Sequence, residues 1–192
     1  MGALLLAALL AAFPTWAGEA AKAAPQAGAE ERARSYFTDL ELVTHEGRRV
    51  RFYSDVLKGR VVLINFVYTH CSDACPLITR TLGEVKDRLE ASGAGKVTFV
   101  SISIDPERDP PEALKAFARQ HNANRADWIF LTGAKKNVEH IVRKLGQYTE
   151  RAEEHSTLLI AGNDRTRHWM KIPPGQPVSA IAERLRLLAA EG

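Results

Sequence analysis

Cysteine is scarce in this chain: there are two in 192 residues, Cys71 and Cys75, with three residues between them. That excludes a disulfide-dense secreted scaffold and a site built from four thiolates. Clustered charge of one sign is also missing. Lys and Arg number 26 against 23 Asp and Glu, a net charge of +3, and the cations are scattered among acids. A nucleic-acid-tracking surface needs a basic stripe, so that function class is set aside. The small patches Arg48-Arg49-Val50-Arg51 and Arg165-Thr166-Arg167-His168 read as solvated turn and strand-edge residues. No repeat recurs along the chain, which argues against a solenoid. With 45% apolar residues, what remains is enough for one ordinary core with a modest extension.

The N-terminal run from Met1 to Phe13 is almost entirely Leu and Ala, followed by Pro14-Thr15-Trp16-Ala17. It is too short to cross ~30 Å of hydrocarbon as a helix and suits a signal peptide or export segment over residues 1–17. No Lys or Arg precedes the run. With no cysteine beside the cleavage point, a lipid anchor on a processed cysteine is not expected. A periplasmic or otherwise exported location is expected, either free or facing the periplasm from a membrane tether, with membrane association only through this N-terminal segment if it stays uncleaved; in such an oxidising compartment two nearby thiols can form a disulfide bond. Residues 18–35, rich in Ala with Gly, Pro and Glu, read as a flexible linker, and a folded domain is expected over 36–192.

Within that domain, Leu40–Thr44 and Arg49–Tyr53 flank Glu46-Gly47 and predict a β-hairpin. The apolar run Val61–Tyr68 predicts a central strand buried on both faces. Ile78, Leu82, Val85 and Leu89 recur at helical spacing. A second buried strand over Val97–Ile104 leads into the Asp105–Pro110 loop and a helix from Pro111. Trp128–Thr132 is a third strand, followed by a helix carried by Val138, Ile141, Val142 and Leu145. Ser156–Ala161 is a fourth, pairing through a Gly162-Asn163-Asp164 turn with Arg167–Ile172. A last helix carries Ile181, Leu185 and Leu188. The fold class is α/β, a sandwich with a central mixed sheet between helices.

In such a sheet the chemistry gathers at the carboxyl edge of the parallel strands. Cys71 lies just past the Val61 strand and Asp105 just past the Val97 strand. His155 stands at the start of a strand expected to run the other way, so it enters from the same edge. Pro76 suits a first helical turn, which puts Cys75 at or near the helix N-cap. There the helix dipole favours thiolate, the form that binds metal or attacks a disulfide.

Three readings of the pair compete. Two buried apolar side chains is the inert one. Residues four apart on a regular helix have Cβ atoms roughly 5–6 Å apart, beyond the ~3.5–4.5 Å of a disulfide, whereas an ion with ~2.3 Å bonds to sulfur tolerates the gap. Cys71 is expected in the loop before the helix, so redox exchange stays open beside metal binding. Two thiolates and an imidazole suit copper(I), with zinc the competitor, although structural zinc would want a fourth ligand. His70 reads as a turn residue, and His45, His121, His140 and His168 as solvated. Asp105 either orients a ligand or neutralises the site's surroundings, or it is a loop-capping aspartate.

Four segments in order resemble the Sco family, also called SenC or PrrC: Gly59–Phe66, Tyr68-Thr69-His70-Cys71 through Cys75-Pro76, Ser101–Asp109, and His155-Ser156. The resemblance covers residues 36–192. It implies a thioredoxin-like fold and a copper ion bound by Cys71, Cys75 and His155. It also implies a metallochaperone role: delivering copper to the binuclear copper site of a cytochrome c oxidase subunit, or keeping the cysteines of a copper-protein partner reduced. In the second role Cys71 and Cys75 are a redox-active, catalytic dithiol, and the chain is a thiol-disulfide oxidoreductase. A peroxidase-like enzyme on this fold would leave His155 without a task. The chain departs from the family pattern at Ser72, where many members carry proline, and at Gly162-Asn163-Asp164-Arg165, which replaces the usual Asp-Pro-x-Gly turn. Members are commonly tethered by a transmembrane helix, and the apolar segment here is shorter.

Overall fold

The computed structural model describes residues 28–94, 96–173 and 175–192; the export segment 1–17 and the first part of the expected linker lie outside the described residues. The elements run as helix α1 (28–37), strands β1 (Glu41–Thr44) and β2 (Arg49–Arg51), a π-helical turn (Phe52–Leu57), β3 (Val61–Val67), and α2 (Ala74–Ala91). Then come β4 (Val97–Ser103), α3 (Pro111–Gln120), β5 (Trp128–Thr132), α4 (Lys135–Lys144), and a 3-10 turn (Ala152–Glu154). β6 (Leu159–Asn163), β7 (His168–Ile172) and α5 (Val178–Ala189) complete the chain.

The strands form one seven-stranded sheet in the order β2-β1-β5-β4-β3-β6-β7. β3, β4 and β5 are parallel. β1 is antiparallel to β5, and β6 to β3. The expected hairpins are both present, β1 with β2 and β6 with β7. Gly47 in the first has φ +77°, a left-handed turn conformation that glycine adopts without steric cost.

All seven residues of β3 are buried, and alternation along it feeds two layers. Val61, Leu63 and Val67 pack in a layer with Leu82, Val85, Phe117 and Leu185 from α2, α3 and α5. Val62, Ile64 and Phe66 pack in the other, with Phe37, Val56, Val138 and Ile141 from α1, the π-helical turn and α4. A parallel strand covered by helices on both sides has no solvent face, so its sequence is apolar except at Asn65, whose Oδ1 accepts from the Ser101 hydroxyl at 2.7 Å.

The expected linker does not extend to residue 35. Residues 28–37 are helical, and Ala33 and Phe37 are buried at 8% and 6% exposure. An Ala-rich stretch lacks an obvious apolar stripe, but one well-placed Phe suffices to hold it: Phe37 packs its ring 4.6 Å from Trp169, burial worth about 1.5–3 kcal/mol. The second strand also ends earlier than its sequence suggests, because Phe52–Leu57 turns inward and buries Phe52, Tyr53, Val56 and Leu57.

Gly162 faces Trp169 across the β6–β7 pair. A Cβ placed there would sit 2.1 Å from the indole, so the ring lies flat over the strand only because glycine leaves room. Gly162→Ala is therefore expected to lower stability by about 1–3 kcal/mol, the usual cost of overpacking, measured as a drop in the urea midpoint with an unchanged slope. An unchanged midpoint would mean that Trp169 does not occupy that position.

Candidate dithiol and histidine site

β3 and β4 end side by side at one edge of the sheet, where the Ile104 N–H donates to the Val67 carbonyl at 3.0 Å. β6 runs antiparallel to β3 and so begins at that edge. The chain leaving β3 makes a turn closed by the Cys71 N–H donating to the Tyr68 carbonyl at 3.2 Å, and α2 starts three residues later. Cys75 is not the N-cap: Asp73 occupies that position without a side-chain cap, and Cys75 lies inside the first turn. The cap acceptor is instead the other thiol, since the Cys75 N–H donates to Cys71 Sγ at 3.3 Å. Helix N–H groups left without intrahelical partners thus point at sulfur.

The two thiols are free and unequal: Cys71 is half-buried and Cys75 buried. Burial opposes the Cys71 thiolate, yet the N–H and thiol of Cys75, the Asp73 N–H and the Tyr68 hydroxyl outweigh it and hold the group below an ordinary thiol. Burial pushes the Cys75 thiol up to about 12, with its contact to Cys71 adding to the effect. Tyr68 is likewise pushed up to about 12 by burial and by its bond to Cys71.

His155 follows the 3-10 turn and lies four residues ahead of β6, not immediately before it as expected. Its Nδ1 lies 2.7 Å from the Ala152 carbonyl, which assigns the proton to Nδ1 and leaves Nε2 with a lone pair. Nε2 is buried and has no hydrogen-bond partner among the described residues. The ring meets Tyr68 edge to face, centroids 5.6 Å apart. One open cleft of about 520 Å³ is lined by Tyr68, Cys71 and His155 together, with Arg108 and Glu153 at its side. Two of the three expected ligands, Cys71 and His155, therefore face one cleft, while Cys75 is buried behind it, its N–H on Cys71 Sγ. As they stand, however, no three His, Cys, Asp or Glu side chains among the described residues are grouped closely enough to hold a metal ion. The donor chemistry fits copper, with an orphaned imidazole nitrogen and a thiol biased toward thiolate, while the spacing requires the Cys71 loop and the His155 segment to close.

Asp105 does not reach this cleft. Its carboxylate pairs with Arg108 in its own loop, and its N–H donates to Ser103 Oγ at 3.1 Å. The acid beneath the site is Asp109, which the sequence reading passed over. It is fully buried and accepts from the Thr69 hydroxyl at 2.6 Å, the Thr69 N–H at 3.1 Å and the Ser103 hydroxyl at 2.7 Å. The loop that carries Cys71 is thus tied to the end of β4. The available signal was Pro110-Pro111: a residue just ahead of a proline-started helix has a fixed position, whereas Asp105 is simply the first acid past the strand.

His70 is an exposed turn residue, as expected, its ring bonded to Thr69 Oγ1 at 3.2 Å. His45 is not solvated. It is buried at 8% exposure and its Nδ1 accepts from the Phe130 N–H at 3.2 Å, so it is a satisfied core histidine. His168 bonds Glu191 at 2.9 Å, and His121 packs on Phe117.

A dithiol at the strand-to-helix turn of a mixed sheet, with helices on both faces, defines a thioredoxin-like protein. The chain belongs to the SCO1/SenC family, whose model matches residues 28–190. A Bacillus subtilis SCO1 protein homolog is 35% identical over 128 residues, covering 62% of this chain; the chain spans 64% of that relative's length. Arabidopsis thaliana ScoI, solved with copper bound, superposes with a TM-score of 0.69 at 22% identity, over 82% of this chain and 99% of that one. BsSco, described as having a disulfide switch and as a member of the Sco family of cytochrome c oxidase assembly proteins, gives 0.70 at 24%, over 81% and 94%. At those identities the likeness is one of fold.

The inequality of the thiols has a direct readout. Because Cys71 is lowered and Cys75 raised, iodoacetamide at pH 7 is expected to label Cys71 first, and Cys75 to stay unlabelled until the protein unfolds; peptide mapping would show it, and equal labelling would contradict the assignment. Asp109→Ala strands three donors, the Ser103 hydroxyl buried and the two from Thr69 part-buried, and is expected to cost about 1–3 kcal/mol, with faster Cys71 labelling as the loop loosens. A variant that melts like the wild type would remove Asp109 from this role.

Proposed function

We propose that the chain is an exported copper metallochaperone in which Cys71, Cys75 and His155 hold a copper ion as cargo for the binuclear copper site of a cytochrome c oxidase subunit. The observation that carries this reading is His155 Nε2, buried and without a partner among the described residues while Nδ1 is held by a carbonyl. An imidazole oriented through one nitrogen with the other left free is the usual posture of a metal ligand. Family membership and the copper-bound ScoI support the choice of copper. Thiolate and imidazole donors suit copper(I) in particular. Closure of the Cys71 loop toward residues 152–157 would bring the donors to bonding distance, and reopening would release the ion to a better-organised acceptor.

A second reading rests on the asymmetry of the thiols. Cys71, accessible and biased toward thiolate, would attack a partner's disulfide and release one partner thiolate. Cys75 would then displace the second, leaving a Cys71–Cys75 disulfide and a reduced partner. Two electrons leave this chain, and an external dithiol reductant restores it. The disulfide switch described for BsSco is in keeping with that exchange.

Loading the reduced full-length protein with copper(I) and removing loosely held metal separates the readings. One copper per chain is expected, lost in Cys71→Ser and Cys75→Ser. In His155→Ala affinity should fall by more than the roughly 10–100-fold typical of losing an outer-shell partner. Full copper retention in His155→Ala would overturn the three-ligand site. Undiminished disulfide turnover by that variant without copper would favour the reductase.

A further inference from the structure

A groove of about 510 Å³ lies away from the dithiol, between α1 and the β6–β7 pair. Its apolar surface is aromatic and aliphatic: Phe37, Leu145, Ile160, Trp169 and Met170 line it, and the 56%-exposed Tyr36 stands at its margin. The floor is rigid, since Trp169 is seated over Gly162 and against Phe37. The charged lining is all of one sign. Arg32, Lys144, Arg167 and Lys171 contribute, and among the described residues no acid lines the groove. Nearby acids are engaged elsewhere: Glu30 pairs with Lys58, and Glu31 with Arg34. Arg167 is tied to Asp164 and to the Tyr53 hydroxyl. Arg32, Lys144 and Lys171 enter no ion pair among the described residues, and Lys144 lies over the Tyr36 ring, 5.9 Å from its centroid.

An apolar trough edged by unpaired cations is complementary to a molecule with a hydrocarbon body and an acidic head. The geometry points to the anionic lipids of a bilayer as the occupant, so that this face of the domain docks on a negatively charged membrane surface. Chain length is consistent with it. The apolar run ends at Phe13 and α1 is described from Gly28, so where the run stays uncleaved 14 residues separate them. At ~3.5 Å per extended residue the groove wall stays within about 50 Å of any membrane that the run enters. Apolar burial and cation–headgroup attraction then act together, as they do at an amphipathic interfacial helix. The long stems of Lys144 and Lys171 keep their charges at headgroup level while their methylenes pack on the trough.

Full-length protein mixed with vesicles of phosphatidylcholine, alone or with phosphatidylglycerol, tests this, with Lys144→Glu/Lys171→Glu as the variant. Both lysines are exposed, and the variant should keep the wild-type melting temperature. The wild type is expected to bind the phosphatidylglycerol vesicles more tightly than the neutral ones. The variant should lose roughly fivefold of that affinity for each cation removed. Brominated phosphatidylglycerol should quench emission from Trp169, read as the difference between the wild type and Trp169→Phe. Equal binding by wild type and variant, or no quenching at Trp169, would overturn the proposal. So would shielding of Trp169 from acrylamide in the vesicle-free protein, which would assign the groove to residues of the chain's own N-terminal segment.

Discussion

β3 is buried on both faces and pairs in parallel with β4 from Val61↔Val97 to Val67↔Ser103. Both strands therefore stop at the same edge, and both connections leave from there. The β3 exit becomes the turn that carries Cys71 and the helix that carries Cys75; the β4 exit becomes the loop that carries Asp109. Were the two strands antiparallel, the thiols and the carboxylate would lie at opposite ends of the sheet. The remaining contribution, His155, reaches that edge because β6 is antiparallel to β3.

On this frame the chemistry is graded by burial. Cys71 and Cys75 are four residues apart, yet one is drawn toward thiolate and the other away from it, because helix N–H groups converge on the first sulfur while the apolar layer encloses the second. Metal binding and disulfide exchange both require an accessible thiolate, so the same inequality serves either. What favours metal is outside the thiol pair: an imidazole nitrogen buried without a partner among the described residues, at some free-energy cost, beside a tyrosine that touches both His155 and Cys71. The two faces of the molecule also differ in purpose. One end of the sheet presents polar groups for chemistry, while the α1–β7 side presents an apolar, cationic trough.

Much of this could be read from residues alone. The run Val61–Val67 has one interpretation as a fully buried strand, and Cys71, Cys75 and Pro76 follow it at a spacing that requires a strand-to-helix turn. Trp128–Thr132 and the start of α3 at Pro111 came out at the observed residues, since aromatic density and a proline are local signals. His155 was placed by topology, from one antiparallel strand. Other features were out of reach. Asp105 and Asp109 both stand in the β4–α3 loop, and only the folded loop shows that Asp105 turns to Arg108 while Asp109 turns under Thr69. His45 reads as solvated because its burial comes from β5, where its partner Phe130 is 85 positions away. The Ala-rich stretch before Tyr36 gave a linker because composition does not reveal that Phe37 meets Trp169.

The sequence by itself determined the α/β class, the buried central strand and the identity of the dithiol, because burial pattern and helix initiation are properties of neighbouring residues. Tertiary structure alone decided which acid supports the Cys71 loop, which thiol is drawn toward thiolate, and which nitrogen of His155 is left without a partner among the described residues. Those depend on which groups the fold removes from water and which donors it leaves opposite them, and that is settled by contacts between residues far apart in the chain.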